Sequence, residues 1–178
     1  TFYEEFLKLK DGKYEACPSY SPDTTPGNYV MGDDELGIAR NSTVDFAVLR
    51  RLLCDLIRGS AVTGLYKDEV KKWEYMLTCI PAYAMNADGT VKEYIDPAFA
   101  DNDRSPSCAE FYPMFPGTEV NALTPDLLRC FAQTAKKKFD TAKRSFTSAQ
   151  TARYANIFAR AGEGDEAYGA PTRMVRSM

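Results

Sequence analysis

Ser42-Thr43-Val44-Asp45-Phe46-Ala47-Val48-Leu49-Arg50-Arg51-Leu52-Leu53-Cys54-Asp55-Leu56-Ile57-Arg58 is the stretch on which the fold class turns. Val44, Ala47, Val48, Leu52, Cys54, Leu56 and Ile57 recur so as to keep an apolar helical face, which predicts an amphipathic helix with these residues inward. Ser42 or Thr43 supplies the N-cap. Asp45 falls in the first turn, where a carboxylate favours the positive helix end. Gly59 or Gly64 ends the helix.

Working outward, the same period returns. A second helix runs from about Asp68 to Thr78, with Val70, Trp73, Leu77 and Ile80 inward, and stops at Pro81; Lys71 and Lys72 read as its solvated face. Thr124-Pro125-Asp126 is a strong start signal, Thr at N-cap and Pro at N1. It opens a helix that carries Leu127, Leu128, Phe131 and Ala135 to about Phe139. Another begins near Phe146 or Thr147, places Ala152, Ala155, Phe158 and Ala159 on one side, and ends at Gly162 or Gly164. A last short helix starts near Asp165. At the other end, Phe2, Phe6 and Leu9 predict that Thr1–Lys8 closes a helix, which Asp11-Gly12 breaks. One segment changes period: Tyr83, Met85, the turn Asn86-Ala87-Asp88-Gly89, then Val91, Tyr94 and Ile95 predict a short β-hairpin. The expected fold is all-α, an array of helical hairpins with a short β-hairpin.

Composition narrows the function. The chain has 178 residues, 44% hydrophobic and 26% charged, which suits one ordinary globular domain. A net charge of −3 offers no field for a nucleic-acid backbone or an anionic membrane, and neither partner is expected. No apolar run approaches the ~20 residues of a membrane span. Histidine is wholly absent, which removes Ser-His-Asp and Cys-His chemistry and imidazole-dependent zinc sites. Cys17, Cys54, Cys79, Cys108 and Cys130 are odd in number and lack a C-x-x-C pair. No metal or other cofactor is expected. Cys54, Cys79 and Cys130 sit in apolar helical contexts and read as buried thiols. The chain starts at Thr1 with a helix already under way, so it reads as part of something longer.

The chemistry falls to two long irregular connections, from Lys13 to Asn41 and from Asp96 to Pro116. Asp23 ends the proline-bracketed run Cys17-Pro18-Ser19-Tyr20-Ser21-Pro22-Asp23, which can hold a carboxylate still. Glu93 follows the hairpin turn beside Tyr94, and Glu110 sits among Phe111, Tyr112 and Phe115. Carboxylates mixed with aromatics on loops suit a carbohydrate site. Rings stack on sugar faces, one acid protonates the leaving oxygen, and a second carboxylate activates water. Taken singly, a loop Asp or Glu is more often a turn, capping or solvated residue. Tyr83, Tyr94, Phe111 and Tyr112 have a packing role open to them as well.

The loops also carry a resemblance. Lys13-Tyr14-Glu15-Ala16-Cys17-Pro18-Ser19-Tyr20-Ser21-Pro22-Asp23, followed by Thr43-Val44-Asp45, resembles the P-S-x-S-P-E-N and T-x-D segments of the glycoside hydrolase family 95 catalytic domain. Pro81-Ala82-Tyr83 continues the match. Gly89-Thr90-Val91-Lys92-Glu93-Tyr94 is similar to the family's G-x-x-x-E-W, and Phe111-Tyr112-Pro113-Met114-Phe115-Pro116-Gly117 to its L-Y-x-L-Y-P-G. Ala155-Asn156-Ile157-Phe158-Ala159-Arg160-Ala161-Gly162 resembles its W-A-R-L helix end. The order is kept over nearly the whole chain.

The resemblance implies an (α/α)6 barrel, a toroid of which this chain would form the second half, with active-site loops at one end. It implies inverting hydrolysis of α-linked L-fucosyl or related glycans. Asp23 stands where the family has its general acid, a Glu. An Asn pair that activates water would lie upstream of Thr1, and a carboxylate assisting it belongs to the last third, where Asp140 is the nearest candidate. Tyr20, Glu93, Tyr94, Glu110 and Tyr112 become candidate substrate-binding residues. A secreted or periplasmic address is implied only by this resemblance.

Three departures bear on activity. Asp23 is one methylene shorter than Glu, and a displacement of about 1 Å can cost about 10²-fold in rate. The family's H-R-H-x-S-H-L run aligns with Ser105-Pro106-Ser107-Cys108-Ala109-Glu110-Phe111, without any His. The tryptophans of its late G-W-S-x-A-W segment are replaced by residues such as Ala149 and Arg153. Three readings stand: a glycoside hydrolase domain, a non-catalytic carbohydrate-binding relative, and a helical scaffold. The expected partners are a carbohydrate and either the missing half of the parent chain or a second copy. Half a helix ring would leave apolar helix faces exposed.

Overall fold

The computed structural model describes residues 2–22, 24–28, 39–142 and 146–176, without the side chains of 173–176. In chain order the elements are α1 (Phe2–Phe6), β1 (Lys8–Lys10), β2 (Lys13–Glu15), α2 (Thr43–Thr63), α3 (Val70–Cys79), α4 (Pro125–Thr141), α5 (Ser148–Ala161) and α6 (Gly164–Arg176). Single 3-10 turns lie at Lys67–Glu69 and Ala109–Phe111. The chain is mostly helical with one short antiparallel hairpin, as expected of part of a helical toroid.

The hairpin is elsewhere than the period suggests. Asp11 and Gly12, both at positive φ, turn β1 back on β2, with Lys8 opposite Glu15 and Leu9 opposite Tyr14. Two residues that readily adopt left-handed backbone therefore make a β-turn, and α1 stops at Phe6 instead of running to Lys8. The 83–95 segment does turn at Asp88-Gly89, but it forms only an isolated bridge, Met85 to Val91. Asn86 N–H donates to Thr90 O at 2.7 Å and Lys92 N–H to Ala84 O at 2.9 Å across the turn, and other bonds tie the segment outward. Val91 N–H donates to Thr134 Oγ1 on α4 at 2.8 Å, and Glu93 N–H to Asp101 Oδ1 at 2.8 Å.

Two cores organise the helices. In the first, Phe46, Leu49 and Leu53 of α2 meet Leu7, Ala16, Met76 and Ile80. The buried stripe of α2 is thus not the one expected. Val44 and Ala47 are buried, but Leu52 and Leu56 are 41% and 37% exposed and Cys54 is exposed. Apolar residues occupy most of the α2 perimeter, so periodicity alone does not choose the inward side; α3 and the Leu7–Ala16 segment choose it. Lys71 and Lys72 are both exposed, and Lys72 pairs with Glu4 at 2.7 Å and with Glu69.

The second core gathers Phe131, Ala135 and Phe139 of α4, Tyr154, Ile157 and Phe158 of α5, and Phe111 and Met114 from the long connection. Tyr154 packs against Phe111, Phe139 and Phe146 with centroids 5.2–5.8 Å apart, separations at which aromatic pairs gain from ring electrostatics as well as burial. Thr147 forms a reciprocal capping box with Gln150 at the start of α5, and Gly162, at φ 80, ends it.

Candidate functional site

The seam between the two cores is made by residues 92–95. Thr43, in the first turn of α2, donates from its N–H to Glu93 O at 3.0 Å and from Oγ1 to Lys92 O at 2.6 Å. Ser42 bridges Tyr94, and Ile95 N–H donates to Asn41 O at 2.9 Å. A strand-like segment pinned at one edge must alternate its side chains, so Glu93 turns inward while Lys92 reaches out to Phe99 O at 2.9 Å.

Inward, Glu93 meets a cation. The Lys138 ammonium of α4 stands 3.6 Å from Glu93 Oε1 and donates to Glu110 Oε1, with all three side chains at most 2% exposed. Glu93 Oε2 accepts Asn102 N–H at 3.2 Å, whereas Glu110 Oε2 is buried without a hydrogen-bond partner among the described residues. One ammonium cannot compensate two carboxylates removed from water. Burial pushes the Glu110 carboxyl up to about 7, with the Lys138 charge opposing and Glu93 reinforcing. For Lys138 the burial penalty is outweighed by its two carboxylates, and its ammonium is held above the ordinary lysine range. Glu93 and Glu110 are therefore brought together, but as the two arms of an interior ion cluster.

The other candidate residues spread over the molecule. Tyr94 is fully buried, packs on Phe99 at 5.6 Å, and its hydroxyl accepts Ser21 N–H at 3.1 Å. Burial raises its phenol to about 12, so it stays neutral as an anchor for the proline-bracketed loop. Tyr20 is 43% exposed. Asp23 lies outside the described residues. Its flanks are held: Pro22 O accepts Ser107 Oγ at 2.7 Å, and Thr24 N–H donates to Ser21 O at 3.2 Å. Asp140 is exposed on α4, two residues beyond Lys138 and so about 200° around the helix. It lines a separate cavity with Asp165 and Glu166.

Tyr112 lines an open cleft of about 330 Å³ together with Pro22, Ser107, Phe115, Gln150 and Arg153. That volume is at the small end of ligand sites. Tyr154 Oη donates to Ser107 O at 3.2 Å, which locks α5 to one wall. Gly117 packs on the backbone of Tyr112 behind the cleft: its N–H donates to Tyr112 O at 2.8 Å, and a Cβ there would lie 2.3 Å from that same oxygen. Under the loop, Ser19 Oγ donates to Asp45 Oδ2 at 2.5 Å and accepts Ser42 N–H at 2.8 Å. Burial pushes the Asp45 carboxyl up, and the Ser19 bond pulls it part of the way back. The cleft thus has aromatic walls, amide and guanidinium side chains from Gln150 and Arg153, and the Pro22 end of the loop in its lining.

Lys138 was not among the residues the loop chemistry picked out, although a signal exists. Phe131, Ala135 and Lys138 fall at i, i+4 and i+7, so a lysine occupies the apolar stripe of α4. A charge placed there needs a buried partner. Its two partners are not readable from the spacing, since they come from other elements. The cysteines divide: Cys79 and Cys108 are buried and Cys130 half-buried, but Cys54 is exposed with the α2 face that carries it, as is Cys17. Among the described residues, no three Cys, Asp or Glu side chains converge on a metal position, and no helix is long and apolar enough to cross a membrane.

No curated protein matches the chain. The family model for the glycosyl hydrolase family 95 catalytic domain matches residues 1–178, and the chain belongs to that family.

Proposed function

We propose that the domain hydrolyses α-linked L-fucosyl or closely related glycans with inversion, Asp23 serving as general acid. Membership of a glycoside hydrolase family supports the reaction class. The observation that carries the reading is the Ser107–Pro22 hydrogen bond, which ties the residue before Asp23 to the wall of the aromatic-lined cleft. Tyr112 and Phe115 offer ring faces to a sugar, and Tyr20 stands on the same loop. In an inverting reaction the acid and the water-activating group work from opposite faces of the ring. On this reading the domain is the second half of an (α/α)6 barrel, with water activation supplied from outside these 178 residues.

A second reading, a carbohydrate-binding relative without turnover, is favoured by one specific feature. Glu93 and Glu110 are engaged with Lys138 inside the core, so the cleft wall carries no carboxylate among the described residues. The two readings part on one measurement. Incubation with an aryl α-L-fucoside, followed by proton NMR, should show β-L-fucose as the first-formed product, and Asp23→Asn should abolish it. Sugar affinity without any release would establish the binder.

A further inference from the structure

We propose that the cleft takes a saccharide bearing an anionic substituent, a carboxylate or a sulfate ester, and that Arg153 is the residue that selects it. The inference rests on the reading that the cleft binds carbohydrate, and names the class.

Among the described residues the cleft lining carries no carboxylate, and Arg153 and Gln150 supply its side-chain N–H donors. Arg153 lines it from α5 with Gln150 one turn earlier, and residues three apart share a helix face. The next residue, Tyr154, turns into the core and bonds Ser107 O, which fixes the register of α5 against residues 105–109. Arg153 is thereby set beside the Cys108 thiol on the cleft wall; burial pushes that thiol up, and the neighbouring guanidinium pulls it part of the way back down. A thiol is a weak acceptor and leaves most of the five guanidinium N–H groups unused. Among the described residues Arg153 has no carboxylate within ion-pair distance, unlike Arg40, Arg50, Arg51, Arg58 and Arg129. Gln150 commits Oε1 to the Thr147 cap, so its Nε2 remains as a second donor. The Ser107 hydroxyl proton goes to Pro22 O. With these donors the cleft is lined by Val44, Ala109, Tyr112, Phe115 and Pro116.

A planar guanidinium beside an amide donor, facing an apolar wall, matches a ligand with one ring face to stack and one planar or tetrahedral oxyanion to clamp. A neutral hydroxyl can accept from either donor, but only an oxyanion gains the charge-assisted, bidentate bond that a guanidinium offers. Carboxylate and sulfate share this recognition chemistry, so separate probes must tell them apart.

The test is isothermal titration of the full chain with four glycosides: methyl α-L-fucopyranoside, methyl α-L-galactopyranoside, methyl α-L-galactopyranosiduronate and methyl α-L-fucopyranoside 4-sulfate. One of the two anionic probes should bind about tenfold tighter than the neutral sugars at low salt, with the advantage shrinking as salt rises. Arg153→Met should bring the anionic-to-neutral ratio to about one, and Arg153→Glu should push it below one. Neutral sugars binding as well as both anionic probes would overturn the inference and leave the carbohydrate reading intact. An anionic preference that survives Arg153→Met and Arg153→Glu would overturn the role of Arg153. Failure of all four probes to bind would overturn both the inference and the reading beneath it.

Discussion

Lys138 and Glu110 form a hydrogen-bonded ion pair sealed from solvent on every side, each side chain 2% exposed. With Glu93 as a third member, the pair joins α4, the 92–95 seam and the Ala109–Phe111 turn, whose Ala109 lines the cleft. The cluster is a structural joint beneath the site, and its charge balance makes it sensitive to substitution and to pH.

Removing the cation leaves two buried carboxylates facing each other. Lys138→Met should cost about 3–5 kcal/mol of stability at neutral pH, the usual penalty for breaking a buried pair by taking one partner. The loss should shrink on acidification, because a protonated Glu110 no longer needs the ammonium. Urea unfolding at pH 5 and pH 7.5 checks both parts, and an equal loss at the two would count against the interior charge.

The Glu110 carboxyl titrates near 7 in the folded chain against an ordinary 4.5. Between those values the folded state holds a proton that the unfolded state releases. Its favourable contribution is therefore complete below about 4.5, declines as pH rises toward 7, and is gone above. Glu110→Gln cannot titrate, so the wild-type minus variant stability should fall with rising pH through that window. Parallel profiles would mean that Glu110 is ionised throughout.

Gly117 is required by contact, not by its backbone angle. A Cβ would meet Tyr112 O at 2.3 Å and Pro113 Cα at 3.2 Å, and neither backbone atom can swing aside. Gly117→Ala should cost about 1–3 kcal/mol, in the range of overpacking changes, and should weaken sugar binding by displacing the Tyr112 wall. Thermal denaturation together with titration of a fucoside separates the two effects.

Ser19 holds the proline-bracketed loop to the start of α2 through Asp45 and the Ser42 N–H. Ser19→Ala strips both partners at once and leaves a half-buried carboxylate without its donor. A loss of about 1–3 kcal/mol is expected. A further acid shift of the Asp45 carboxyl upward should be visible by carbon-13 NMR.

On the hydrolytic reading, Asp23→Glu restores the reach of the acid. A gain of up to about 10²-fold in kcat is expected, with little change in KM, because the extra methylene acts on the reacting bond and not on sugar binding. Steady-state kinetics with an aryl α-L-fucoside decides it; a slower variant would show that the site is built for the shorter side chain.

Much of the helix layout could be read locally. Thr124-Pro125, Thr147 and Gly162 are local start and stop signals, and the structure has helix ends at each, although Thr124 Oγ1 donates to Asn121 O and does not cap α4. Asp11-Gly12 was visible as a break but not as the turn of a strand pair. That outcome depends on β1 and β2 finding each other beside the first core. The residue types of the site were local too: aromatics and carboxylates on long loops, with a tyrosine on the cleft wall.

What sequence could not decide is which of those side chains face each other. Glu93 and Glu110 look like solvent-facing loop acids until Lys138, placed on the inner stripe of α4, draws both into the core. Leu52 and Leu56 look as inward as Leu49 and Leu53 until α3 packs on one side of α2. Capping and turn geometry are settled over a few bonds of backbone. Burial, and with it charge pairing and proton affinity, belongs to whatever distant segment arrives to exclude the water.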